Sequence, residues 1–130
     1  MTTDLSMLVL TALLCLLMPV AYLVGRSGRP GGLAWGFGNR DVPLDVAPWV
    51  RRGERAHANL VENLAPFAIL VLVAHVVGKA NGTTALGATL FFWGRVAHAA
   101  LYIAGLPYVR TAAFFVGTAG ELLILSQLWR

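Results

Sequence analysis

Residues 5–24 read LSMLVLTALLCLLMPVAYLV, a run without a single charged side chain. Coiled as an α-helix it is about 30 Å long, the thickness of a bilayer's hydrocarbon core. It follows Asp4, has no Lys or Arg before Arg26, and shows no A-x-A cleavage pattern, so it reads as a retained span and not a secretory leader. Pro19 is expected to kink its end. The rest of the chain has the same character. Of its 130 residues 58% are apolar and only 12% charged, with a mean hydropathy of +0.71. Soluble domains carry about 25% charged residues. That deficit excludes intrinsic disorder, an acidic interaction tail and a nucleic-acid binder with a solvated basic face.

Outward from the first span, residues 25–53 turn to Gly, Pro, Arg and Asp and read as a long loop without helical periodicity. Further spans are expected at about 54–77, 84–106 and 109–128, joined by the short links around Gly78–Gly82 and at Gly105-Leu106-Pro107. Short links imply antiparallel neighbours. The expected fold is therefore all-α: one transmembrane domain over 1–130, an integral-membrane up-down four-helix bundle. The net charge is +4, and six of the ten basic residues fall between Arg26 and Arg55. The first and third loops together hold Arg26, Arg29, Arg40, Arg51, Arg52, Arg55 and Arg110, against Lys79 and Arg130 on the other side. The positive-inside rule places those two loops in the cytoplasm and both termini opposite. The single Cys15 lies inside the first apolar run, which excludes a disulfide framework or a cysteine metal site.

Ionisable groups within a span are costly and mark candidate functional sites. On the second span Arg55, Asn59 and Glu62 follow at i, i+4 and i+7, and on the third Arg95, His98 and Tyr102 follow at i, i+3 and i+7, each set on one helix face. Glu62 lies ~12 Å and Arg95 ~15 Å from the cytoplasmic edge, so the two are expected to pair. Pro66 removes the usual partner of the Glu62 carbonyl. Arg55, Tyr102 and Arg110 are expected at the mouth of the same crevice. Such an inventory suits a small flexible ligand with several carboxylates and an ammonium group: arginine forks bind the carboxylates and Glu62 accepts from the ammonium.

The competing reading of the same side chains is a network of structural ion pairs without catalysis, or a site for another small thiol or anion. A conduit is a third reading, against which the polar groups crowd into the cytoplasmic half and not the midplane. His57 reads as interfacial and His75 as a solvated cap. Eighteen residues apart, they stand at opposite ends of one span and do not make a metal site. Glu121, mid-span on the fourth helix, reads as a carboxylate paired or protonated at a helix interface. The four tryptophans need no role beyond anchoring and packing.

These motifs resemble a known family. Residues 54–67, ERAHANLVENLAPF, look like the signature of the MAPEG family, membrane-associated proteins in eicosanoid and glutathione metabolism. Gly94-Arg95-Val96-Ala97-His98 followed by Tyr102 resembles the third-helix signature of its microsomal glutathione transferase and prostaglandin E synthase branch. Residues 110–117, RTAAFFVG, resemble the start of its fourth helix. The resemblance implies a homotrimer with glutathione as cosubstrate, bound between subunits on the cytoplasmic side, and a lipophilic second substrate arriving from the bilayer. It implies that Arg55, His57, Asn59, Glu62, His98 and Tyr102 contact or support glutathione, with Arg95 the partner of the Glu62 carboxylate. Arg110 matches the arginine that stabilises the glutathione thiolate, Thr111 a serine that helps it, and Arg26 a further glutathione-contacting arginine. The activity implied is that of a glutathione transferase or peroxidase. Ala58 stands where the eicosanoid synthase branch has a basic residue and Phe114 where it has a tyrosine. Of the acidic residue that synthase mechanisms invoke in the first loop, Asp41 and Asp45 are the candidates, so no particular eicosanoid product is implied.

Overall fold

A computed structural model describes residues 1–130 as five helices and no strands: α1 Thr3–Ser27, α2 Gly32–Phe37, α3 Pro48–Val76, α4 Gly82–Ala104 and α5 Pro107–Leu128. Helix starts follow local chemistry. Pro48 and Pro107 open α3 and α5 where a missing N–H costs nothing. Asn81 caps α4: its Oδ1 accepts from the Thr83 and Thr84 amides (2.8 and 3.2 Å), and Thr84 Oγ1 accepts from the Asn81 amide (2.8 Å). Gly105, left-handed at φ 84°, ends α4 two residues before α5 begins, so those two helices fold back on each other.

Three departures from the expected segments exceed two residues. Helix α1 runs three residues past Val24, α3 starts six residues before 54, and the intervening segment contains α2. Gly25 explains the first two. A Cβ there would sit 2.6 Å from Trp49 Cη2 and from Val50 Cγ2, so only glycine lets the end of α1 close on the start of α3 and extend both.

Helices α1, α3 and α5 are long and apolar enough to cross a membrane. With large apolar side chains exposed along them, among them Leu16, Leu17, Ile69 and Leu122, they give the chain the character of an integral membrane protein. The expected fourth span, α4, is long enough at 23 residues, but its apolar run is broken by Arg95 and His98. Its position accounts for that. It touches each of the other long helices, as α3 does, whereas α1 and α5 do not meet. Its buried positions include Thr84, Gly87, Gly94, Arg95 and His98, polar or small residues facing protein and not solvent or lipid.

The apolar core gathers Phe67, Val71 and Ala74 of α3, Ala88 and Phe91 of α4 and Ile124 of α5, with Phe67 stacked on Phe91. At the far end Asp4, 3% exposed, accepts from Thr84 Oγ1 (3.0 Å) and lies 3.5 Å from His75 Nε2. His75 is thus a half-buried tie between α3 and α1 and not a solvated cap.

Candidate functional site

The site is built around Arg95. Two amides one helical turn apart on α3 receive it: its Nη1 donates to Asn59 Oδ1 (3.1 Å) and its Nη2 to Asn63 Oδ1 (2.9 Å). Asn63 in turn donates to the Asn59 main-chain carbonyl (2.7 Å), which leaves its own Oδ1 facing Arg95. The guanidinium lies between the rings of Phe91 (4.9 Å) and Phe114 (4.7 Å) and is 1% exposed. Cation–π contact and two neutral acceptors offset part of the cost of burying this charge. Gly117 makes the room, since a Cβ there would stand 3.3 Å from Arg95 Nε.

From Arg95 the polar line continues along α4 to the start of α5. His98, buried, meets Phe114 and presents an edge to Tyr102 (5.5 Å, 77°). Arg110 lies over the Tyr102 ring at 4.0 Å and is half-buried. Asn59, Arg95, His98, Tyr102 and Arg110 therefore form one connected row from three helices. Thr111 is exposed next to it and donates to the Pro107 carbonyl of its own helix (3.0 Å).

The remaining expected residues stand elsewhere. Glu62 and Arg55 are exposed, and Glu62 makes no hydrogen bond or ion pair within the chain. The expected Glu62–Arg95 pair is not formed. Similar depth did not bring them together because Glu62 stands about 100° around the helix from Asn63, which occupies the face toward α4. Arg55 lines a cavity of about 640 Å³ with Arg29, Arg51, Arg52 and Asp45. A strongly cationic recess of that size suits a small anionic ligand. Arg26 is held by Glu54 (2.6 Å) and lies over the rings of Trp35 (4.9 Å) and Tyr22 (5.4 Å). A second recess of about 280 Å³ joins Arg26 to Arg51 and Arg55. His57 turns to α1, with Nδ1 3.0 Å from Tyr22 Oη and Nε2 3.5 Å from Cys15 Sγ.

Sequence reading missed Asn63, Glu54, Tyr22 and Trp35. Asn63 carried a signal, being four residues from Asn59 and so on the same face.

The MAPEG family model matches residues 6–128. The chain belongs to the MAPEG family. Among the relatives of this MAPEG chain, microsomal glutathione S-transferase 1 of Bos taurus is 38% identical over 97 residues, 72% of this chain and 63% of that protein. The Homo sapiens protein of the same name is 38% identical over 80 residues, 61% of this chain and 52% of its own length. That of Rattus norvegicus is 34% identical over 82 residues, 62% and 53% respectively. The chain thus matches between half and two thirds of the length of these relatives. The family match reaches from the first turns of α1 to the end of α5, so the buried Arg95 row belongs to the MAPEG region throughout.

Proposed function

We propose that this chain is a membrane-embedded, glutathione-dependent transferase or peroxidase. In this reading all four long helices, α4 included, cross the bilayer as one transmembrane domain. They form an up-down four-helix bundle that assembles as a homotrimer. The α1–α3 and α4–α5 links face the cytoplasm and both termini the opposite side.

The observation that carries the reading is the row from Asn59 to Arg110, which ends in a half-buried guanidinium fixed over Tyr102. Glutathione carries two carboxylates, one ammonium group and a thiol. Arg26 and Arg55 supply forks for the carboxylates, and the exposed Glu62 accepts from the ammonium. Asn59, His98 and Tyr102 offer amide, imidazole and phenol contacts, with His57 bracing α3 against α1. Because Glu62 and Arg55 lie outside the Arg95 row, a second copy packed on α3 would close the site between subunits. The relatives named as glutathione S-transferases support the same ligand.

Arg110, helped by the Thr111 hydroxyl, would favour the thiolate. A free cysteine-type thiol with pKa about 8.5 is mostly protonated at neutral pH, and a fixed cation nearby favours the anion that reacts. The thiolate attacks an electrophilic carbon of a lipophilic substrate. A C–S bond forms and the leaving group departs with its electron pair. With a lipid hydroperoxide the thiolate attacks the outer oxygen, the O–O bond breaks, and the alcohol leaves as its oxygen gains a proton. A second glutathione then converts the sulfenic acid to disulfide and water.

The test is glutathione titration of the detergent-solubilised protein, read by thiolate absorbance. Saturable thiolate formation is expected. Glu62→Gln should raise the glutathione Kd about tenfold, the scale of one charge-assisted hydrogen bond. No binding at millimolar glutathione by folded protein would overturn the assignment. Cross-linking in mild detergent is expected to stop at three subunits, and a ladder ending at two would refute the trimer.

A further inference from the structure

The Glu121 carboxylate of α5 is used by nothing described so far. Its Oε1 is buried and has no hydrogen-bond partner, and the Nε of Arg95 is likewise buried and without one. A donor and an acceptor orphaned in one interior need an account, because each forfeits its hydration without compensation. Both lie along the α4–α5 seam, about one turn apart. Gly117, against which Arg95 Nε lies, is one turn before Glu121 on the same face of α5. No direct ion pair closes the gap. The acceptors of Arg95 are neutral amides on α3, which satisfy two of its nitrogens and leave its charge unbalanced.

We infer that Glu121 is the buried counter-charge of Arg95 and, through it, a positioning residue for Asn59. Arg95 is then held from both sides: Glu121 balances its charge from α5, while Nη1 and Nη2 orient the two amides of α3. The consequence reaches the ligand. With Glu121 balancing Arg95, Glu62 is left exposed and unpaired, free to meet a ligand ammonium. The site divides its carboxylates, one buried for the scaffold and one open for the ligand. The ligand half of this inference rests on the glutathione reading; the charge pairing does not.

Glu121→Gln is nearly isosteric and tests both halves. The infrared difference between wild-type and Glu121→Gln protein is expected to carry the stretch of an ionised carboxylate. A protonated carboxyl band in its place would overturn the counter-charge. In glutathione titrations Glu121→Gln is expected to raise Kd about fivefold, with Glu121→Asp recovering most of the loss. In an Arg95→Met background the same change should move Kd by less than about twofold, since the effect passes through Arg95. An unchanged Kd for Glu121→Gln, or effects of the two substitutions that multiply, would overturn the positioning role. Should wild-type protein bind no glutathione, the functional reading fails and thermal unfolding decides the pair. Each single variant is expected to lower the midpoint, and the double variant to lose no more than the worse single. Fully additive losses would overturn the pairing.

Discussion

Replacing Arg110 by alanine is expected to lower turnover toward an activated electrophile by about 10²-fold, the scale on which fixed electrostatic stabilisers of a reacting anion act. The expectation rests on geometry. The guanidinium is half-buried and lies 4.0 Å over Tyr102, so its charge acts from a fixed position with limited screening. Glutathione binding should suffer less than turnover, because Arg26, Arg55 and Glu62 hold the tripeptide's charged ends and Arg110 serves the sulfur. The thiolate absorbance of the complex should fall in parallel with turnover. Arg110→Lys keeps the charge but loses the flat face that stacks on the phenol ring, and is expected to recover only part of the rate. Tyr102→Phe preserves the ring beneath Arg110 and should retain more activity than Tyr102→Leu. Unchanged turnover in Arg110→Ala protein, with its oligomer intact, would remove Arg110 from the chemistry.

The parts of this picture that sequence made visible are those set by spacing along one helix. Arg95, His98 and Tyr102 were legible as a stripe because three- and seven-residue intervals return to one face, and the structure keeps them in a connected row. Level along the helices was legible too, since Arg95 reaches Asn59 and Asn63, which bracket Glu62. Azimuth between helices was not. Glu62 and Arg95 stand at a similar level along their helices, yet Asn59 and Asn63 hold the face toward Arg95 and Glu62 turns outward. Which of several polar residues faces a neighbour depends on how two helices rotate against each other, and packing decides that. Helix α2 escaped notice for a different reason. Six residues, GLAWGF, make less than two turns and cannot display a period. The start of α3 was misplaced because the arginines at 51 and 52 read as loop composition, whereas Pro48 and the closure of Trp49 and Val50 on Gly25 govern. Family likeness carried what spacing could not, the proposal of glutathione as the ligand. It gave no role to Glu121, whose importance emerges only from an orphaned oxygen beside a buried cation.

Gly120→Ala is expected to destabilise the protein by about 2–3 kcal/mol and to disrupt the site with it. In an exposed helix that substitution would stabilise by about 1 kcal/mol, so the sign depends on what the new methyl meets. At Gly120 it meets backbone. A Cβ there would overlap the Gly87 carbonyl oxygen and come within 2.9 Å of the Phe91 amide nitrogen. Gly87 repeats the arrangement from α4, its Cβ position lying 2.5 Å from the Gly120 carbonyl oxygen. Farther along, a Cβ on Gly94 would stand 2.8 Å from the Gly117 amide nitrogen and 3.0 Å from the Ala113 carbonyl oxygen. Glycines on both helices thus let α4 and α5 approach backbone to backbone, the way helices in lipid gain contact without a hydrophobic driving force. Neither backbone can yield as a flexible side chain would, so the helices must separate. Separation there widens the gap that holds Arg95 between Phe91 and Phe114 and draws Arg110 away from Tyr102. Turnover and glutathione affinity should therefore fall together with the unfolding midpoint. Gly82→Ala is the matched comparison, at a helical glycine with open space around its Cβ position, and should leave stability unchanged or raise it by up to about 1 kcal/mol. If Gly120→Ala protein unfolds and turns over like Gly82→Ala, the close approach of α4 and α5 does not hold the site in shape.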